Sequence, residues 1–148
     1  LAGGVSQHLM NDDYDGAVAY ALRLSEIFGP DRFYLELQDH GIDKQQPVNQ
    51  GLMRIARQTG LPLVVSNDAH YLRKEDAAMQ DVLLCVQTGK TVDDENRMKF
   101  QTEEFYLKSE EELRELFPNC DEAFENTVKI AEKVTEEVFN LTCCFIML

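Results

Sequence analysis

Asp68 and His70 stand two residues apart at the close of the stretch Leu61-Pro62-Leu63-Val64-Val65-Ser66-Asn67-Asp68-Ala69-His70-Tyr71. A carboxylate and an imidazole are side chains that ligate divalent metals or share a proton as an acid/base pair. In extended chain, residues i and i+2 point to the same side, so this spacing lets the two groups converge. Asn67 adds an amide beside them. An ordinary reading stands next to this one: Asn-Asp is common turn chemistry, and a single histidine often serves only in packing or hydrogen bonding. Spacing alone leaves both readings open.

The element that must position this pair is the run Leu61–Val65. It is too short for a helix, is rich in β-branched residues and follows Gly60, which predicts a buried strand. A second strand is predicted over Phe33-Tyr34-Leu35-Glu36-Leu37, and it too ends in a polar cluster, Gln38-Asp39-His40-Gly41. Glu36 lies inside that strand, on a wet face or aimed into a site; a salt bridge is its ordinary alternative, as a loop hydrogen bond is for His40. Between and before the strands come two helical patterns. Ala17, Val18, Ala21, Leu22, Leu24 and Ile27 follow the cap candidates Asn11-Asp12-Asp13 and stop at Gly29. Val48, Leu52, Ile55 and Ala56 mark a helix from about Gln46 to Thr59, with Gly60 as its terminator. The order helix, strand, helix, strand predicts an α/β fold with parallel strands and crossover helices. Both polar clusters then fall at one rim, the end where α/β barrels carry their active sites.

Beyond Tyr71 the pattern becomes helical and charged. Glu75-Asp76 heads a helix carrying Ala77, Ala78, Val82, Leu83 and Val86 and ending at Thr88-Gly89. Residues 90–101 have no period and read as an exposed loop, and Phe105–Lys108 as a short strand or connector. Ser109 with Glu112 is a capping-box pair for a short helix. A final packing helix is expected after a cap at Asn119 or Asp121, with Ala123, Phe124, Thr127, Val128, Ile130, Ala131 and Val134 as its stripe. The apolar segment 139–148 is atypical and reads as a strand without partners or a non-native end.

The chain has 148 residues and a net charge of −13, which argues against gripping nucleic acid by itself, since phosphate binding relies on Lys and Arg. The charge suits a cation-binding surface or one that a basic partner covers. Cys85, Cys120, Cys143 and Cys144 form no spaced pair of the metal-binding kind, and Cys85 and Cys120 read as small apolar residues of a reducing cytoplasm. His8, His40 and His70 are too few to build a multi-metal site alone. No apolar run reaches the roughly 20 residues that span a bilayer, and no signal peptide is evident. A start on Leu1 suggests a chain that begins within a longer protein.

Read together, Phe33–Gly41, Leu61–Tyr71, Asp81–Lys90, Asn96-Arg97-Met98, Glu104–Ser109 and Asn126–Glu132 resemble one family, the polymerase-and-histidinol-phosphatase (PHP) domain. The version resembled is that of the alpha subunits of bacterial DNA polymerase III, over about residues 1–138. The resemblance implies that residues 1–73 are the second half of a distorted, TIM-like (β/α)7 barrel. It implies a helical connector towards a polymerase in residues 74–138, with 139–148 outside the pattern. Asp68 and His70 match the family's last metal-ligand motif; Glu36 and His40 belong to a recurring segment and rank, with Asn67, as rim residues behind them. The family's other ligands would precede Leu1, and its polymerase residues would follow the chain, so no catalytic residue is expected in this segment. The implied cofactors are zinc or manganese at the PHP site and magnesium at the polymerase site. The implied partners are DNA, deoxynucleotides, a sliding clamp and a clamp loader, in the cytoplasm and without a membrane. The implied activity is DNA-directed DNA synthesis, with the PHP part a phosphoesterase or 3′–5′ proofreading exonuclease. The alternative is an inert scaffold that stabilises the polymerase or meets a proofreading partner. A stand-alone phosphatase fits less well, because Phe105–Ser109 and Asn126–Glu132 resemble the polymerase version.

Overall fold

A computed structural model describes residues 2–29 and 31–134. Its elements, in order, are α1 (Gly4–Met10), α2 (Tyr14–Phe28), β1 (Leu35–Leu37), α3 (Gln45–Thr59), β2 (Leu63–Val65), α4 (Ala77–Thr88, entered through a 3-10 turn at Lys74–Asp76), α5 (Glu110–Leu116) and α6 (Asp121–Glu132). Segment 139–148, with Cys143 and Cys144, lies outside the described residues.

The two strands are parallel, with Leu35 opposite Leu63, Glu36 opposite Val64 and Leu37 opposite Val65. Parallel neighbours need a crossover, and α3 supplies it. Period-two alternation buries Leu35 and Leu37 while Glu36 faces outward. The buried side meets Val48, Leu52 and Ile55, spaced along one face of α3, together with Val5, Ala17, Ala21 and Val65. Full burial of Leu37 or Ile55 contributes about 1.5–3 kcal/mol of transfer free energy. Asp13 caps α2 by accepting the Gly16 N–H at 2.9 Å. Gly51 sits inside α3, where a Cβ would come within 2.8 Å of the Leu9 methyl groups; its bareness is what lets α1 lie against α3. Gly60 ends α3 at φ 74°, a left-handed conformation that glycine adopts at no steric cost.

The far edge of the sheet is closed by α6. Asn126 Nδ2 donates to the Leu63 carbonyl at 2.8 Å, and Thr127 Oγ1 donates to the Val65 carbonyl at 3.0 Å. These are the outward-facing acceptors of β2, because the Pro62 carbonyl already takes the Leu35 N–H.

The mixed helix-and-sheet architecture, the parallel pairing and the crossover agree with the α/β expectation. Several boundaries differ. Both strands are shorter than predicted, starting at Leu35 and Leu63 rather than Phe33 and Leu61. Helix α1 was not anticipated: it has no side-chain cap and buries only Val5, so it carries little periodic signal. Phe105–Lys108 is an extended connector with one bridge, Tyr71 to Tyr106. Neither Asn119 nor Asp121 caps α6: Asp121 is its first residue, Cys120 precedes it without a side-chain cap, and Asn119 is left-handed at φ 66°. The Ser109–Glu112 capping box is present, with the Ser109 N–H donating to Glu112 at 2.7 Å. Cys85 is buried and Cys120 half-buried, both free, as small apolar residues would be. Among the described residues no helix is long and apolar enough to cross a membrane.

Candidate functional site

Where β2 ends, Ser66-Asn67-Asp68 carry the chain out over the rim. Asp68 Oδ1 and His70 Nε2 lie 3.2 Å apart, and both side chains are about half-exposed. The i, i+2 spacing therefore does bring the carboxylate and the imidazole together. Glu36 lies one strand over. Its Oε1 accepts the Ser66 hydroxyl at 2.5 Å, while Ser66 Oγ accepts from Gln38 Nε2 at 3.0 Å. This is a hydrogen-bonded strip on the open face of the sheet, and Glu36 has a hydroxyl partner in place of the salt bridge weighed for it.

His40 is only 2% exposed. Gln45 clamps it twice: Gln45 Oε1 accepts the His40 backbone N–H at 2.8 Å, and Gln45 Nε2 lies 2.9 Å from His40 Nδ1. The amide oxygen is committed to the backbone, so the NH2 group must face Nδ1. Nδ1 is then an acceptor and the ring is the neutral Nε2–H tautomer. Burial depresses the His40 pKa, and the Lys108 ammonium adds to this against the opposing pull of Asp68 and Asp39. Asn67 Nδ2 donates to the Lys108 carbonyl at 3.3 Å, while its Oδ1 is buried with no hydrogen-bond partner among the described residues.

The segment Phe100–Lys108 returns to this rim. The Phe105 carbonyl accepts the His70 N–H at 2.8 Å and the Tyr71 N–H at 3.4 Å, and the Leu107 N–H donates back to the Tyr71 carbonyl at 3.1 Å. Thr102 Oγ1 donates to the His40 carbonyl at 2.5 Å. The Phe105 ring stacks on His40 with centroids 4.5 Å apart and planes 1° from parallel, and it meets His70 edge-on at 5.8 Å. Phe100 packs 4.7 Å from His70 and 4.5 Å from Phe105. Charges latch this strap. Glu104 pairs with Lys74 and lies 3.5 Å from the buried Lys108 ammonium; the hydrogen bond from Lys74 is the main reason its carboxyl sits below the usual range. Tyr106 donates to Glu112 at 2.7 Å, which pushes the phenol up to about 12.

Sequence reasoning placed Asp68, His70, Glu36, His40 and Asn67 near one rim. It read Phe105–Lys108 as a short strand or connector but missed that the strap returns to this rim, because residues 90–101 carry no period and nothing local names the partner of Phe105–Lys108. The Phe100/Phe105 pair was the one local signal available. Reading 90–101 as exposed also missed Arg97, whose side chain is 12% exposed and whose guanidinium is forked onto Asp81 at 2.5 and 2.8 Å.

One carboxylate and one imidazole in contact are donors of the right chemistry for a borderline divalent cation. They amount to two donors: among the described residues no three His, Cys, Asp or Glu side chains converge.

No protein-family model matches the chain. The chain is 46% identical over 133 residues to DNA polymerase III subunit alpha of Borreliella burgdorferi, 44% over 133 residues to that of Treponema pallidum, and 45% over 134 residues to that of Thermus aquaticus. These alignments take in 88–90% of this chain and 11–12% of each relative, so the chain spans about a ninth of the length of the relatives it matches.

Proposed function

We propose that this chain is a segment of a DNA polymerase III alpha subunit and forms the second half of its PHP barrel, where Asp68 and His70 are two donors to a divalent metal site. The observation that carries this reading is the 3.2 Å contact between Asp68 Oδ1 and His70 Nε2 at the end of a parallel strand, in a chain 46% identical to a subunit of that name. Asp68 offers a hard oxygen and His70 a neutral nitrogen, a donor mix suited to zinc or manganese. Such an ion, when bound, lowers the pKa of a water and offsets charge on a phosphate oxygen. Ser66 and Gln38 hold Glu36 on the adjoining strand in reach of the same rim. The reaction class is phosphoester hydrolysis, with a nucleic-acid 3′ end as substrate in a proofreading role. DNA synthesis from deoxynucleotides with magnesium, and dealings with a sliding clamp and clamp loader in the cytoplasm, fall to the rest of the subunit.

A scaffold reading has its own observation: the stack of His40 and His70 with Phe100 and Phe105 gives His70 a packing role that needs no metal. Elemental analysis of the full-length subunit separates the two. Wild type is expected to carry a divalent metal that Asp68→Ala and His70→Ala lose in part, with polymerisation largely intact. Unchanged metal content in both variants would leave the scaffold reading standing. Residues 1–148 alone are expected to show no robust exonuclease turnover, and turnover would mean the donors in this segment suffice.

A further inference from the structure

The proposed donors do not hold their own positions. Both are half-exposed, and the bonds that anchor the His70 backbone come from a segment more than thirty residues downstream. We propose that Phe105 is the positioning residue of the rim: its ring, seated between His40 and His70, sets the plane in which the His70 imidazole faces Asp68. This rests on the reading of Asp68 and His70 as metal donors.

Three observations converge on Phe105. Its carbonyl takes the His70 and Tyr71 N–H groups, which fixes where the His70 Cα lies relative to the strap. Phe105 is 7% exposed, and its ring lies flat against His40, a partner held in place because Gln45 grips both its backbone and Nδ1. That ring also meets His70 edge-on, at 73° between planes, and Phe100 packs against both Phe105 and His70. A half-exposed imidazole otherwise samples several rotamers. Here the aromatic wall restricts it to orientations that leave Nε2 towards Asp68. Hydrogen-bonding supports that orient metal ligands are worth about 10–100-fold in metal affinity, and the aromatic wall takes the same orienting role by packing. The chain thus separates two tasks: β2 carries the donors to the rim, and the strap decides which way one of them points.

The test is Co2+ binding to the full-length subunit, freed of metal beforehand and followed by visible absorption. Wild type is compared with Phe105→Ala, Phe105→Leu and His70→Ala. Phe105→Leu keeps most of the buried apolar volume and removes the flat ring, so it decides the matter if the alanine variant fails to fold. The expected result is binding weakened about 10–100-fold in the Phe105 variants, with a shifted spectrum, and a larger loss in His70→Ala. Wild-type affinity and spectrum in Phe105→Leu, alongside loss in His70→Ala, would overturn the positioning role and leave the metal reading intact. Wild-type binding in His70→Ala would overturn the metal reading and this inference with it.

Discussion

Leu37 and Ile55 are sealed from solvent, whereas Leu72 and Val86 are about three-quarters exposed. The first pair belongs to the β1–α3–β2 unit, the second to the chain that follows Tyr71. In the β1–α3–β2 unit the apolar stripes of strands and helices meet one another, and burial supplies the stability. After Tyr71, α4 leaves Met79, Val82, Leu83 and Val86 largely in solvent. The strap there buries Phe105 but is otherwise ordered by directional links: Arg97 on Asp81, Lys74 on Glu104, Tyr106 on Glu112. The contrast separates two services that are easily confused. Burial is non-directional and contributes the larger energies. Exposed charge pairs contribute little and fade with salt, yet they fix geometry. The rim pair draws on both, with its strand from one region and its orientation from the other.

The largest effect should come from the core. Leu37→Ala or Ile55→Ala is expected to cost about 2–5 kcal/mol, seen by denaturant unfolding, with strap and sheet lost together. A strap that outlived the sheet would show that the second region has a stability of its own.

Next comes the joint between sheet and α6. Asn126 is 5% exposed, and Asn126→Ala leaves the Leu63 carbonyl without its donor, an expected cost of about 1–3 kcal/mol. An unaltered unfolding midpoint would mean that water replaces the amide and that the edge is not sealed.

Smaller still is the response of the strap to acid. Lys74 holds Glu104, and the Tyr106 hydroxyl holds Glu112, below the usual carboxylate range. A carboxyl depressed in the folded state contributes stability that is fully present above its unfolded value, about 4.3. That contribution is lost as pH falls through the folded value. Protection factors of the His70 and Leu107 amides should therefore drop below about pH 4 while those of α3 hold. Equal loss in α3 at the same pH would erase the distinction between the regions.

Arg97→Ala should do least. It frees residues 91–100 to exchange amide hydrogens faster with no change in the core; a fall in core protection would show that the loop braces the sheet.

The first region was legible in sequence because its physics is periodic. Leu35 and Leu37 alternate around Glu36, and Val48, Leu52 and Ile55 recur at helical spacing, so strand, crossover and strand follow from pattern. The Asp68–His70 contact was legible from the i, i+2 spacing just past the strand, although the chain bends at His70. Strand starts were overreached because Phe33 and Leu61 are apolar enough for a strand, yet both lie just outside the paired register. The strap was not legible. Its contacts join Thr102 to His40 and Lys108 to Asn67 across 62 and 41 residues, and nothing in the local sequence at either end names the other. His40 shows the same limit: its burial depends on Phe105 and Gln45 together.

The pair of side chains that α6 lays on β2 also gives the sheet a polarity. Asn126 and Thr127 occupy the outward carbonyls of that strand as terminators occupy a chain end. On β1 the alternation of a parallel ladder turns the Glu36 peptide groups away from β2. Among the described residues the two edges of the sheet therefore differ: the outward carbonyls of β2 are taken by α6, while the Glu36 peptide groups of β1 face away from the ladder on the side where Glu36 stands.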